Sequence, residues 1–86
     1  MYAVVKSGVY LQDVWLCADL EEAVKVFLEQ INNDRDSYHD WEIVHIKQGE
    51  SLANGEILLS QIKPADGSMV TLRMVQKLLE EKWIEC

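Results

Sequence analysis

One segment constrains this chain more than any other. After Asp19 the apolar residues recur as Leu20, Ala23, Val24, Phe27, Leu28 and Ile31, one face of a helix turning every 3.6 residues. Asp19 stands where a cap is needed, with its carboxylate placed to accept from the free N–H groups of the first turn. Glu22 follows three residues later in a capping-box arrangement, and Glu21 and Glu22 both suit the positive end of the helix dipole. Lys25 lies four residues beyond Glu21 on the polar side. Asn32-Asn33 is expected to end the helix, because Asn tolerates the left-handed cap conformation. A helix with one apolar stripe must bury that stripe against something flat, so the rest of the chain has to supply a sheet.

The flanking segments supply it. Tyr2 to Lys6 and Val14 to Cys17 are β-prone and read as a hairpin, its tip either at Ser7-Gly8 or in a longer loop reaching Gln12. Trp41 to Ile46 reads as a third strand. The expected unit over about residues 2–46 is ββαβ, an antiparallel sheet of order 2-1-3 with the helix on one face. Gln48 to Gly55 is loop-like. Ile57 to Ile62 is a fourth strand or a short helix, since Ile57-Leu58-Leu59 fits either period. Lys63-Pro64-Ala65-Asp66-Gly67 is a turn. A second helix is expected from Thr71 to Lys82, with Leu72, Val75, Leu78, Leu79 and Lys82 or Trp83 inward and Arg73, Lys77, Glu80 and Glu81 outward. The fold class is α+β, one domain over residues 1–86 with a strand-turn-helix extension from about residue 56. Trp15 and Trp41 alternate with Val14, Leu16 and Val44, so both sheet faces carry apolar groups. The second helix or a second copy in a homodimer is expected to cover the face opposite the first helix.

Charge excludes several roles. The 86 residues carry 15 acidic and 8 basic side chains, a net charge of −7. That balance argues against direct nucleic-acid binding, where cations must neutralise phosphates, and against docking on anionic membrane. Nine acids against three bases give residues 1–42 a charge of −6, and six against five give residues 43–86 only −1. The first half therefore presents an anionic surface suited to a basic groove. No signal peptide and no membrane-length apolar run is read, so a cytoplasmic location is expected. Cys17 and Cys86 form no disulfide framework: Cys17 reads as a small core hydrophobe and Cys86 as tail.

The polar loop from Asn32 to Asp40 holds most of the candidate chemistry. Asp34, Asp36 and Asp40 are hard-cation donors, but counted from Asn32 or Asp34 a calcium loop lacks its sixth-position Gly. It also lacks its twelfth-position Glu, where Ile43 or His45 stands. His39 and His45 with two distant cysteines give no zinc spacing. His39 beside Asp36 or Asp40 would act as a general base only with Ser37 or Cys17 within reach. GxGxxG and GxxxxGK[ST] are absent. No cofactor is expected. Tyr10, near the hairpin tip, and Tyr38 are the aromatics most suited to an exposed contact, ringed by Asp36, Asp40 and Glu42. The expected partner-binding set is Tyr10, Asp34, Asp36, Tyr38, His39, Asp40 and Glu42.

Residues Tyr2-Ala3-Val4-Val5, Gly8-Val9-Tyr10, Asp19-Leu20-Glu21-Glu22-Ala23 and Asp36-Ser37-Tyr38-His39-Asp40-Trp41-Glu42 resemble small proteins of tailed bacteriophages. Those carry a hairpin, an "LEEA" helix, a D-x-Y-H-D loop and a final strand. The resemblance covers about residues 2–46 and implies a phage origin and a host-cell location. Many small acidic phage proteins, anti-CRISPR proteins among them, inhibit host machinery. The functional expectation is a non-enzymatic module that blocks a basic site on a host or bacterial protein. The alternatives are a small-molecule or nucleotide sponge formed at a homodimer cleft, or an accessory subunit of an enzyme.

Overall fold

A computed structural model describes residues 1–8, 12–34, 39–62 and 68–84, with the side chains of these except 61, 62 and 81–84. The strands are β1 (Tyr2–Ser7), β2 (Gln12–Cys17), β3 (Asp40–His45) and β4 (Glu56–Ile62), and the helices are α1 (Leu20–Asn33) and α2 (Leu72–Ile84). The strands form one antiparallel sheet of order β2-β1-β3-β4, so the chain is α+β. Residues 57–62 are a strand, and the expected 2-1-3 order stands with β4 added beside β3. Since β2 and β3 both oppose β1, they run parallel to each other, and α1 crosses over β1 to join them.

Each element follows from local chemistry. In β1 the consecutive Ala3, Val4 and Val5 are all buried, as a central strand covered on both faces requires. Pairing of Ser7 with Gln12 makes the longer hairpin connection the correct alternative. Asp19 caps α1: its Oδ1 accepts from the Glu22 N–H at 2.8 Å, and Glu22 Oε2 accepts from the Ala18 N–H at 2.9 Å. The helix does not end in a left-handed Asn; its cap is Asp34 in extended conformation, and no described residue other than Gly49 has positive φ. The irregularity in β3–β4 explains the ambiguous run. Ile43 pairs with Leu59 and Val44 with Ile57, which leaves Leu58 as the extra residue of a bulge. Leu58 and Leu59 thereby both join the helix-side core, which no period-2 pattern would show.

α2 begins after Thr71, whose hydroxyl accepts from the Met74 N–H at 3.3 Å. It does not cover the face opposite α1. Val70, Val75, Leu78 and Leu79 join Ala23, Phe27, Ile31, Trp41 and Ile43 in one core, so both helices lie on the same side. Asn32 ties them there, accepting from the Val70 N–H at 2.8 Å and donating to its carbonyl at 2.9 Å. Leu72, expected inside, is 49% exposed at the cleft between α1 and α2, and Val75 takes the buried position one turn on. On the helix-free face Ala3, Val5 and Val44 are covered by Ile46 and Leu52 of the β3–β4 connection, which contains a short 3-10 turn, Leu52–Asn54. Gly55 permits that fold-back: a Cβ there would fall inside contact distance of Val44 Cγ1.

Candidate functional site

The polar centre of the described structure lies at the Ser7 end of the sheet, on the helix side. Asp34 leaves the end of α1 pointing inward, with its side chain 4% exposed. A carboxylate only accepts, so its neighbours must donate. His39 Nδ1 lies 2.9 Å from Oδ2, Trp41 Nε1 donates to the same oxygen at 3.2 Å, and Lys6 Nζ stands 3.6 Å from Oδ1. His39 is itself buried. Trp41 is walled by aromatics, stacked on Trp15 at 5.8 Å and met edge-on by Phe27 at 6.4 Å, with Lys6 Nζ 5.6 Å from its ring centre. A cleft of about 410 Å³ opens over this group, rimmed by Asp13, Gln30 and Asn33.

This arrangement corrects part of the expected binding set. Asp34 and His39 belong to a buried network and are not available to a surface partner. A buried indole N–H needs an acceptor, and a carboxylate leaving water needs donors; each satisfies the other. Asp40 is exposed and Glu42 half-buried, but strand alternation puts both on the helix-free side, opposite Trp41. Tyr10, Asp36 and Tyr38 lie outside the described residues. The expected single patch is therefore divided between two faces of the sheet. Lys6, Asp13 and Gln30, which the sequence reading passed over, line the cleft instead; a lone Lys in a strand facing a helix was the available signal.

Catalytic pairings can be checked by position. Cys17 pairs with Tyr2 at one end of β1, while Asp40, next to His39, pairs with Ser7 at the other. Five residues of strand separate them by about 17 Å, far beyond proton-transfer reach. Burial pushes the Cys17 thiol pKa up, and the Glu22 and Asp19 carboxylates push it the same way. Cys17 should therefore alkylate with iodoacetamide at pH 8.5 at least tenfold more slowly than the same thiol in urea, read by mass spectrometry. Equal rates would place the thiol at the surface. Among the described residues, no three His, Cys, Asp or Glu side chains gather to hold a metal ion. No described helix is long and apolar enough to cross a membrane.

Sheet, helices and cleft define the class: an α+β domain with a four-stranded antiparallel sheet and both helices on one face. No family model, curated protein or solved structure matches the chain.

Proposed function

We propose that this chain is an acidic binding module that occupies a basic site on another protein. The observation that carries the reading is the placement of exposed charge. Among the described residues up to Glu42, Asp13, Asp19, Glu21, Glu22, Glu29 and Asp40 are exposed, whereas Lys25 is the one exposed lysine. Lys6 is half-buried beside Asp34. Among the described residues from Ile43 onward, exposed Glu50, Glu56 and Glu80 are matched by Lys47, Arg73 and Lys77. The acidic excess lies on α1 and the β2 edge, where it steers a cationic surface and disfavours a like-charged one.

The resemblance of residues 2–46 to tailed-phage proteins makes the basic nucleic-acid groove of a bacterial defence nuclease the first target to try, with occlusion as the mechanism. Reversing Asp13, Glu21 and Glu29 to Lys raises the net charge of −7 by six, to −1, at three exposed sites. That variant should keep its thermal midpoint within a few degrees. It should lose affinity for an oligolysine peptide by more than tenfold, and wild-type binding should fall steeply with added salt. Unchanged, salt-independent affinity would remove the electrostatic reading.

A second reading, a homodimer enclosing a small ligand, draws on one feature. On the helix-free face the two edge strands leave Leu16 and Ile57 64% and 46% exposed, while Ala3 and Val44 between them are covered by Ile46 and Leu52. Sedimentation equilibrium decides it, since a monomer at high concentration has no such cleft.

A further inference from the structure

We propose that β2 is an interaction surface for a second copy of this chain, the two β2 strands pairing antiparallel, edge to edge, about Trp15. This goes beyond the acidic-module reading and does not use it. β2 ends the sheet order, and among the described residues no strand pairs with its outer side. A strand paired on one side leaves half of its backbone N–H and C=O groups directed outward. Natural edge strands are usually blunted by Lys, Pro or a bulge. β2 has none of these: it pairs with β1 residue for residue, contains no Lys, Arg or Pro, and carries exposed Val14 and Leu16 on its helix-free side. The opposite edge is blunted, since β4 has its bulge at Leu58 and exposed Glu56.

The sequence of β2 selects the occupant. Directly opposed residues of an antiparallel pair share a face. Centred on Trp15, the pairing sets Val14 opposite Leu16 of the second copy and Leu16 opposite its Val14, both on the helix-free face. Trp15 meets its own counterpart on the helix side, an aromatic cross-strand pair. Asp13 falls opposite Cys17 of the second copy, so the one charge of the strand never meets its own image. Centring on Val14 instead would set Leu16 against Gln12, and centring on Asp13 would set carboxylate against carboxylate. The two apolar pairs also extend a row that is already buried: Leu16 and Val14 stand beside Ala3 and Val5 of β1, which Ile46 and Leu52 cover. A two-fold axis normal to the sheet produces this pairing, an isologous contact of the kind most dimers use. It joins two four-stranded sheets into one, with α1 and α2 of both copies on the same side.

Sedimentation equilibrium of the full chain at high micromolar concentration should return twice the 9.9 kDa mass of one chain. Leu16→Lys should raise the dimer dissociation constant at least tenfold with an unchanged far-ultraviolet circular dichroism spectrum, because this side chain stands mostly in water. Val14→Lys should do the same and covers the case in which Leu16→Lys disturbs the fold. Ile57→Lys, on the same face at the far edge, should leave the dimer intact. A tenfold rise in salt should not weaken the dimer, since each chain carries −7, whereas binding of a cationic peptide falls over the same range. A monomer at every concentration overturns the pairing, and so does a dimer indifferent to both β2 variants. Loss of the dimer in Ile57→Lys moves the contact to the sheet face and overturns it as well. A dimer weakened by salt is held by opposite charges, which this pairing does not contain, and overturns it too.

Discussion

Asp34→Ala is expected to lower the free energy of unfolding by about 3–5 kcal/mol, the usual cost of removing one partner of a buried charged pair. The carboxylate is 4% exposed and serves His39, Trp41 and Lys6 at once. Without it, a buried imidazole and a buried indole N–H both lose this acceptor, and each bears a desolvation cost of about 1–3 kcal/mol. A chain of 86 residues has a total stability on the order of 4–13 kcal/mol, so the loss is a large fraction of the whole. Asp34→Asn keeps the shape and one acceptor oxygen, and it should cost clearly less. Urea unfolding should show a lower midpoint for Asp34→Ala with an unchanged slope. A midpoint within error of the wild type would mean that the carboxylate does not hold these donors. The consequence for function is direct. Reversing Asp34 together with exposed acids would abolish binding by unfolding the domain, so charge tests must use Asp13, Glu21 and Glu29.

The second large effect is expected at Phe27. Its ring is fully buried at the joint between α1 and the sheet and meets Trp41 edge-on. Phe27→Ala should cost about 3–5 kcal/mol, from lost transfer free energy and from the cavity left behind. The damage should spread beyond the hole. Trp41 stacks on Trp15 and meets Phe27 edge-on, and its N–H reaches Asp34. Releasing one wall lets the indole tilt, so near-ultraviolet circular dichroism from the stacked Trp15–Trp41 pair should weaken before global unfolding begins. Because the two sites share Trp41, Phe27→Ala and Asp34→Ala should not add; the double variant should lose less than their sum. Strict additivity would show that the aromatic wall and the polar centre are independent.

How much of this could be read along the chain depended on the range of the forces involved. The α1 stripe and its Asp19 cap were visible because they involve neighbours within one or two turns, and the hairpin and β3 showed for the same reason. The candidate site was less visible. Asp34 read as a surface carboxylate for a partner, since nothing near it in sequence announces that Trp41 Nε1 and Lys6 Nζ converge on it. The acidic excess of the first half was plain from counting. Which carboxylates display it needed the fold, which buries Asp34 and turns Asp40 and Glu42 to the helix-free side.

By itself, then, the sequence determined the elements: an amphipathic helix that demands a sheet, strands with the side-chain chemistry to make one, and a lopsided distribution of charge. Only the tertiary structure decided that both helices share one face, that a bulge at Leu58 turns an ambiguous apolar run into an edge strand, and that a loop acid becomes a buried acceptor. The physical reason is that local pattern fixes backbone conformation, because its interactions span a few residues. Which groups leave water together is settled by contacts between residues distant in sequence, such as Asn32 with Val70, and those have no local signature.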